Sequence, residues 1–162
     1  MAIIVTSYGL NHDAAFTGMV ADGQVANIVS KINDDTATVA YGKGVVRNGE
    51  KGFKAATADS TGDNFVGVLV RELNRAYTDD ATFGAPVDRP ASVLTAGVVW
   101  VTVAENVAVG DAAFLRVGTT QTGDFAKTAG ESATLSVAIP GAKFLTAASA
   151  GGLAKLSLVV GG

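Results

Sequence analysis

The sequence predicts an all-β protein: a single-domain jelly-roll-like sandwich or related β-barrel with an extended N-terminal arm. Three observations predict it. Good helix formers are scarce, with four Glu, seven Lys and ten Leu among 162 residues. Valine and threonine, which fit a pleated surface, are abundant. Short segments of period two recur between turn signals at a spacing of about 10–15 residues, which suits a sandwich, jelly roll or barrel better than alternating strand–helix units.

The elements follow in order. Residues 1–13 read as an arm or lead-in, because Ser7 to Asp13 has no pattern, and 14–162 read as the β-rich domain. Ile3, Ile4 and Val5, with Tyr8, are apolar enough to pair with the sheet edge of a neighbour, or they form a frayed terminus. Asp22-Gly23 predicts a hairpin turn joining residues 15–20 to 25–32. Ala37 to Tyr41 and Val45 to Arg47 alternate as strands, and Asn48-Gly49 marks a tight turn, because glycine accepts a positive φ. Phe65 to Glu72 is a further strand, and Val98 to Val103 is the clearest. Val109-Gly110-Asp111 then turns into a strand over 112–117. Leu135 to Ile139 follows, stopped by Pro140-Gly141, and Leu156 to Val160 closes the chain. Two long loops are expected, roughly 55–64 and 75–91.

Composition narrows the function classes. Charged residues are 17% of the chain, where about 25% is ordinary, and Ala, Val and Gly together supply 70 residues (28, 22 and 20). So many small apolar residues cannot all share one core, and an apolar surface is a mark of assembly. The net charge of −3, with no basic block, argues against nucleic acid as the main partner. The absence of cysteine excludes disulfides, a cysteine nucleophile and thiolate metal sites. The N-terminus has no positive n-region, and the longest apolar run elsewhere is about six residues. Neither a signal peptide nor a membrane helix, which needs about 18 residues, is therefore expected.

Catalytic chemistry finds little material. His12 is the single histidine, so a Ser-His-Asp triad would have to be built around it, in a segment with nothing to hold it. Asp34-Asp35 and Asp79-Asp80 are the candidate cation pairs, but neither has the spacing of a calcium loop. Gly42-Lys43-Gly44 lacks the spacing of a phosphate loop and reads as turns between strands. No cofactor or metal site is expected. The remaining candidates are partner contacts. Trp100 alternates with a valine face (Val99, Val101, Val103) and so shares the other face with Val98 and Thr102. There it meets a partner or sits under a loop. Arg71, Glu72 and Arg75 lie where a strand ends, as rim charges or as solvated edge residues.

Several stretches together resemble one family. They are Phe65-Val66-Gly67-Val68-Leu69-Val70-Arg71-Glu72, Ser92-Val93-Leu94-Thr95-Ala96-Gly97-Val98-Val99-Trp100-Val101, Val107-Ala108-Val109-Gly110-Asp111, Ile139-Pro140-Gly141-Ala142-Lys143-Phe144-Leu145-Thr146 and Gly151-Gly152-Leu153-Ala154. In order and spacing, from about Gly18 to the end, they are similar to the structural cement proteins that decorate the capsids of tailed bacteriophages. The resemblance implies a non-enzymatic virion protein on the outer capsid surface, made in the bacterial cytoplasm. It implies the major capsid protein as partner, bridging of its subunits, and a homo-oligomer, dimer or trimer, on a symmetry axis. It brings no catalytic motif. The loop from Tyr77 to Arg89 then either reaches a capsid subunit or is an ordinary exposed loop. The alternative is a carbohydrate-binding or host-attachment domain of the phage head, which would need exposed aromatic rings around a concave patch.

Overall fold

The computed structural model describes residues 15–22, 25–72 and 82–159. Eleven strands follow one another: β1 (Asn27–Asn33), β2 (Val39–Ala40), β3 (Gly44–Asn48), β4 (Gly52–Ala55), β5 (Phe65–Leu69), β6 (Gly84–Ala85), β7 (Pro90–Thr102), β8 (Ala112–Arg116), β9 (Phe125–Ala126), β10 (Ser136–Phe144) and β11 (Leu153–Leu158). Nine of them form one sheet in the order β1-β4-β3-β5-β7-β11-β10-β8-β9, and β1 also pairs with β7. That extra pairing closes β1, β4, β3, β5 and β7 into a small barrel. Of the two expected architectures, the pairing is that of a barrel. A parallel bridge from Phe125 to Val103, with the Ala104 N–H donating to the Phe125 carbonyl, brings β9 back to the end of β7. The second set of strands thus also curls onto the strand it started from.

Strand β7 serves both circuits, and its sequence explains how. Its first half pairs with β1 and β5, and its second half pairs with β11. Between them the register slips: Asn27 faces Ala96, but Ile28 faces Leu94. Thr95 is the extra residue, and its hydroxyl donates to the Asn27 carbonyl at 3.1 Å and accepts from Asn27 Nδ2 at 2.8 Å. A bulge of this kind bends and twists a strand. Gly97 follows at φ 123°, a conformation costly for any side chain.

Two apolar clusters hold the molecule together. Val45, Phe53, Val66, Leu69 and Val93 fill the small barrel with Tyr41, Ala85 and Ala91. Val46, Phe65, Val68 and Leu94, on the other faces of the same strands, pack against Val99, Val101, Leu115, Phe125, Phe144 and Leu156. Strand β5 is therefore buried on both faces, and glycine at its centre is obligatory: a Cβ on Gly67 would overlap the Leu94 carbonyl oxygen of β7.

Several sequence expectations are corrected. Residues 15–20 and 25–32 form no hairpin with each other among the described residues. Val20 bridges to Val99 and β1 pairs with β7, so both segments lie antiparallel along the same long strand. Pro140-Gly141 does not end its strand. The pairing of β10 with β8 is broken between Ala138 and Lys143, and this irregular stretch accommodates a residue without an N–H and a glycine at φ 74°. Val98, which shares its face with Trp100, is buried, and residues 18–21 pair along this stretch of β7: the Ala21 N–H donates to the Val98 carbonyl. The loop expected over 75–91 contains β6 and the first residues of β7.

Candidate functional site

Among the described residues, no group of three or more His, Asp or Glu side chains is placed to hold a metal ion. No helix among them is long and apolar enough to cross a membrane. The carboxylates of Asp34 and Asp35 are engaged in local structure. Asp35 accepts hydrogen bonds from the N–H groups of Thr36 and Ala55, and Asp34 accepts from Asn48 Nδ2. Lys43, in the glycine-flanked turn, lies 2.6 Å from Asp124. His12 and Asp79-Asp80 lie outside the described residues.

The predicted contact residues fall into two sets. Ile3, Ile4, Val5, Tyr8, Arg75 and Tyr77 lie outside the described residues. Arg71, Glu72, Arg89 and Trp100 are described, and they do not form one patch. The Arg71 guanidinium lies 4.0 Å from the centre of the Phe16 ring and 4.8 Å from that of Phe83, a cation held between two π faces. Its backbone N–H donates to the Gly18 carbonyl, so strand and side chain both fix residues 16–18. Glu72 accepts a hydrogen bond from the Ser92 N–H at 2.9 Å. Arg89 is exposed, and its carbonyl accepts from the Asn33 N–H where β1 meets the start of β7. Trp100 is half-buried. Its backbone pairs with residues 18 and 19, and Lys155, its neighbour on β11, places its ammonium 5.4 Å from the ring centre while pairing with Asp22 at 3.2 Å.

What the sequence missed are two exposed apolar faces. The first is on β1. Val25 is 94% exposed, Ile28 46% and Ile32 43%. Ile28 and Ile32 alternate with the half-buried Val29 and the buried Asn33, and Pro90 opposite Ile32 extends the strip. Beside it a groove of about 380 Å³ is lined by Ile32, Asp34 and the β3–β4 turn from Asn48 to Gly52. The second face is on the other circuit. The Gly110 N–H donates to the Phe144 carbonyl, which brings Val109, 69% exposed, alongside the exposed Leu145. The signal for the first face was present in the alternation of Ile28, Ser30 and Ile32. It was unreadable without knowing which parity faces the barrel interior.

Two carboxylates have displaced titrations. Burial raises the pKa of Asp124, and the opposing hydrogen bond and charge of Lys43, with the charge of Arg116, only partly offset it. Slight burial raises Glu105 too, but hydrogen bonds from the N–H groups of Lys127 and Thr128 and from the Thr128 hydroxyl, with Arg116 nearby, hold it below the usual range. Both groups lie around β9, and burial for Asp124 and local hydrogen bonds for Glu105 account for the displacements.

A family model described as structural cement protein (E217 gp24/Pam3 gp6), of phages, matches residues 4–159. Among solved structures, a chain from the capsid of Myoviridae phage XM1 is similar, with a TM-score of 0.75 at 15% identity, over 97% of this chain and 98% of that one. The N-terminal base of the head fibre gp8.5 of bacteriophage phi29 gives a TM-score of 0.42 at 14% identity, over 82% and 95% respectively. No curated protein matches the sequence.

Proposed function

The chain belongs to the phage structural cement protein family, and from that premise we propose that it binds the outer surface of the expanded capsid and stabilises it by bridging major capsid subunits. The role is structural and non-enzymatic in this reading. The copies act as a homo-oligomer, dimer or trimer, made in the host cytoplasm and added to the shell.

The observation that supports bridging is the pair of exposed apolar faces, one on each circuit: Val25 just before β1 with Ile28 and Ile32 on it, and Val109 with Leu145 on the far loops. A bridge needs at least two separate contact surfaces on a stiff body. Here the first lies along β1 and the second on the loops before β8 and after β10, with fully buried cores beneath.

The mechanism is thermodynamic linkage. A protein that binds the expanded lattice and not its disassembled subunits stabilises the lattice by its binding free energy, about 2.7 kcal/mol per site at a hundredfold excess over Kd. Contacts with several subunits at once add avidity, so modest individual faces hold firmly. The carbohydrate-binding alternative has no comparable support: every described aromatic ring is buried or half-buried.

The test is thermal disruption of expanded shells stripped of this protein, followed by light scattering with increasing added protein. The disruption temperature should rise and saturate at a fixed ratio of copies to capsid subunits. An unchanged disruption temperature at saturating protein would overturn the proposal.

A further inference from the structure

Among the described residues, the edge of β1 is only partly used. Asn27 to Ile32 pair with β7 on one side, but on the other side β4 pairs only at Ile32 and Asn33. The Asn33 N–H donates toward β7, to Arg89, whereas the Ile32 N–H donates the other way, to the Lys51 carbonyl. By the alternation of an antiparallel pair, the N–H and C=O groups of Ile28 and Ser30 point away from β7. The chain that would continue the β4 pairing is the turn from Asn48 to Lys51, which curls away and leaves the groove. An open edge bordered by Ile28 and Ile32 is a template for another strand.

We propose that this edge, Asn27 to Lys31, takes up the Ile3–Thr6 run of a second copy of the chain as an added strand. Ile3, Ile4, Val5 and Thr6 are all β-branched, the residue type best fitted to a strand, and none of the first ten residues is charged. As a strand the run places Ile3 and Val5 on one face, able to continue the apolar strip of Ile28 and Ile32. Four or five residues of strand span about 13–17 Å on each side, so run and edge match in length. Fourteen residues precede the first described one, enough chain to leave one copy and reach another. Reciprocal exchange between two copies makes each contact twice. Two copies joined at β1 then present two Val109–Leu145 faces, which is how a pair of small subunits spans a junction. This last step rests on the capsid reading, whereas the strand exchange does not.

The chain lacks cysteine, so the contact is open to direct trapping in the full-length protein. Val5→Cys and Ser30→Cys single variants, whose side chains share the face of Ile28 and Ile32 in the proposed pairing, are mixed and oxidised, free and on shells, with Val5→Cys plus Val109→Cys as control. The V5C–S30C crosslinked dimer should form severalfold faster than the control pair. A rate no higher than control in both settings would overturn the proposal. A crosslink formed only within one chain of the V5C/S30C double variant would overturn it too, by assigning the edge to the chain's own arm. Shell binding of the uncrosslinked variants is scored separately, so failure of the capsid reading is distinguishable.

Discussion

Lys43 Nζ and Asp124 Oδ1 lie 2.6 Å apart although 81 residues separate them in sequence. Lys43 enters the small barrel at β3, and Asp124 precedes β9 in the second circuit. The neighbouring backbone repeats the link, with the Gly44 N–H donating to the Gly123 carbonyl at 2.8 Å. The ion pair therefore joins the two circuits at a second point besides β7, which they share.

This pair should respond asymmetrically to mutation. Lys43→Met leaves a buried carboxylate without its closest partner and should cost about 2–3 kcal/mol in urea unfolding at pH 7, since Arg116 stays near. Asp124→Asn keeps an acceptor for Lys43 and removes a buried charge, so its stability should stay within about 1 kcal/mol of the parent. Equal losses in the two variants would contradict the assignment.

The pH dependence has opposite signs at the two displaced carboxylates. Asp124 binds its proton more tightly folded than unfolded, so it contributes stability at low pH that is lost as pH rises through its raised pKa. Glu105 does the reverse: its contribution is present above the ordinary carboxylate range and is lost as pH falls through its lowered pKa. In unfolding curves across pH, Asp124→Asn should remove part of the decline on raising pH, and Glu105→Gln part of the decline on acidification. A Glu105→Gln profile parallel to the parent at acid pH would refute the second half.

Glycine replacements should separate steric from torsional need. Gly67→Ala pushes a methyl into the Leu94 carbonyl inside a fully buried strand and should cost about 3 kcal/mol or prevent folding. Gly49→Ala meets open space at φ 65° and should cost only about 1 kcal/mol. Thermal unfolding of the two variants orders them.

Arg71 should not be replaceable by lysine. The planar guanidinium stacks between Phe16 and Phe83, and an ammonium reproduces neither contact face. Arg71→Lys should lose about 1 kcal/mol and raise hydrogen exchange at residues 16–18. Unchanged exchange there would show that the stack does not hold that segment.

Much of the fold was legible in the sequence. The strands over 45–47, 65–69, 98–102 and 112–116 were visible because their apolar residues sit between clear turn signals. The first half of β7 was harder, because Val93 and Leu94 feed different cores and the bulge at Thr95 breaks the period. Two-residue pairings such as β9 carry no period at all, and β10 runs through a Pro-Gly that normally ends a strand. For the contact residues, the limit was of another kind. Charge and position placed Arg71 on a rim, whereas its aromatic neighbours come from residues 12 and 55 positions away, which no local pattern reveals.

The central claim is tested most directly by co-sedimentation with two shells of the cognate phage, the expanded capsid stripped of this protein and the unexpanded precursor. The account predicts saturable binding to the expanded shell alone, at a fixed copy number per capsid subunit. It also predicts that Val109→Asp with Leu145→Asp weakens binding without lowering thermal stability. Absence of binding to the expanded shell, or equal binding to both shells, would contradict it.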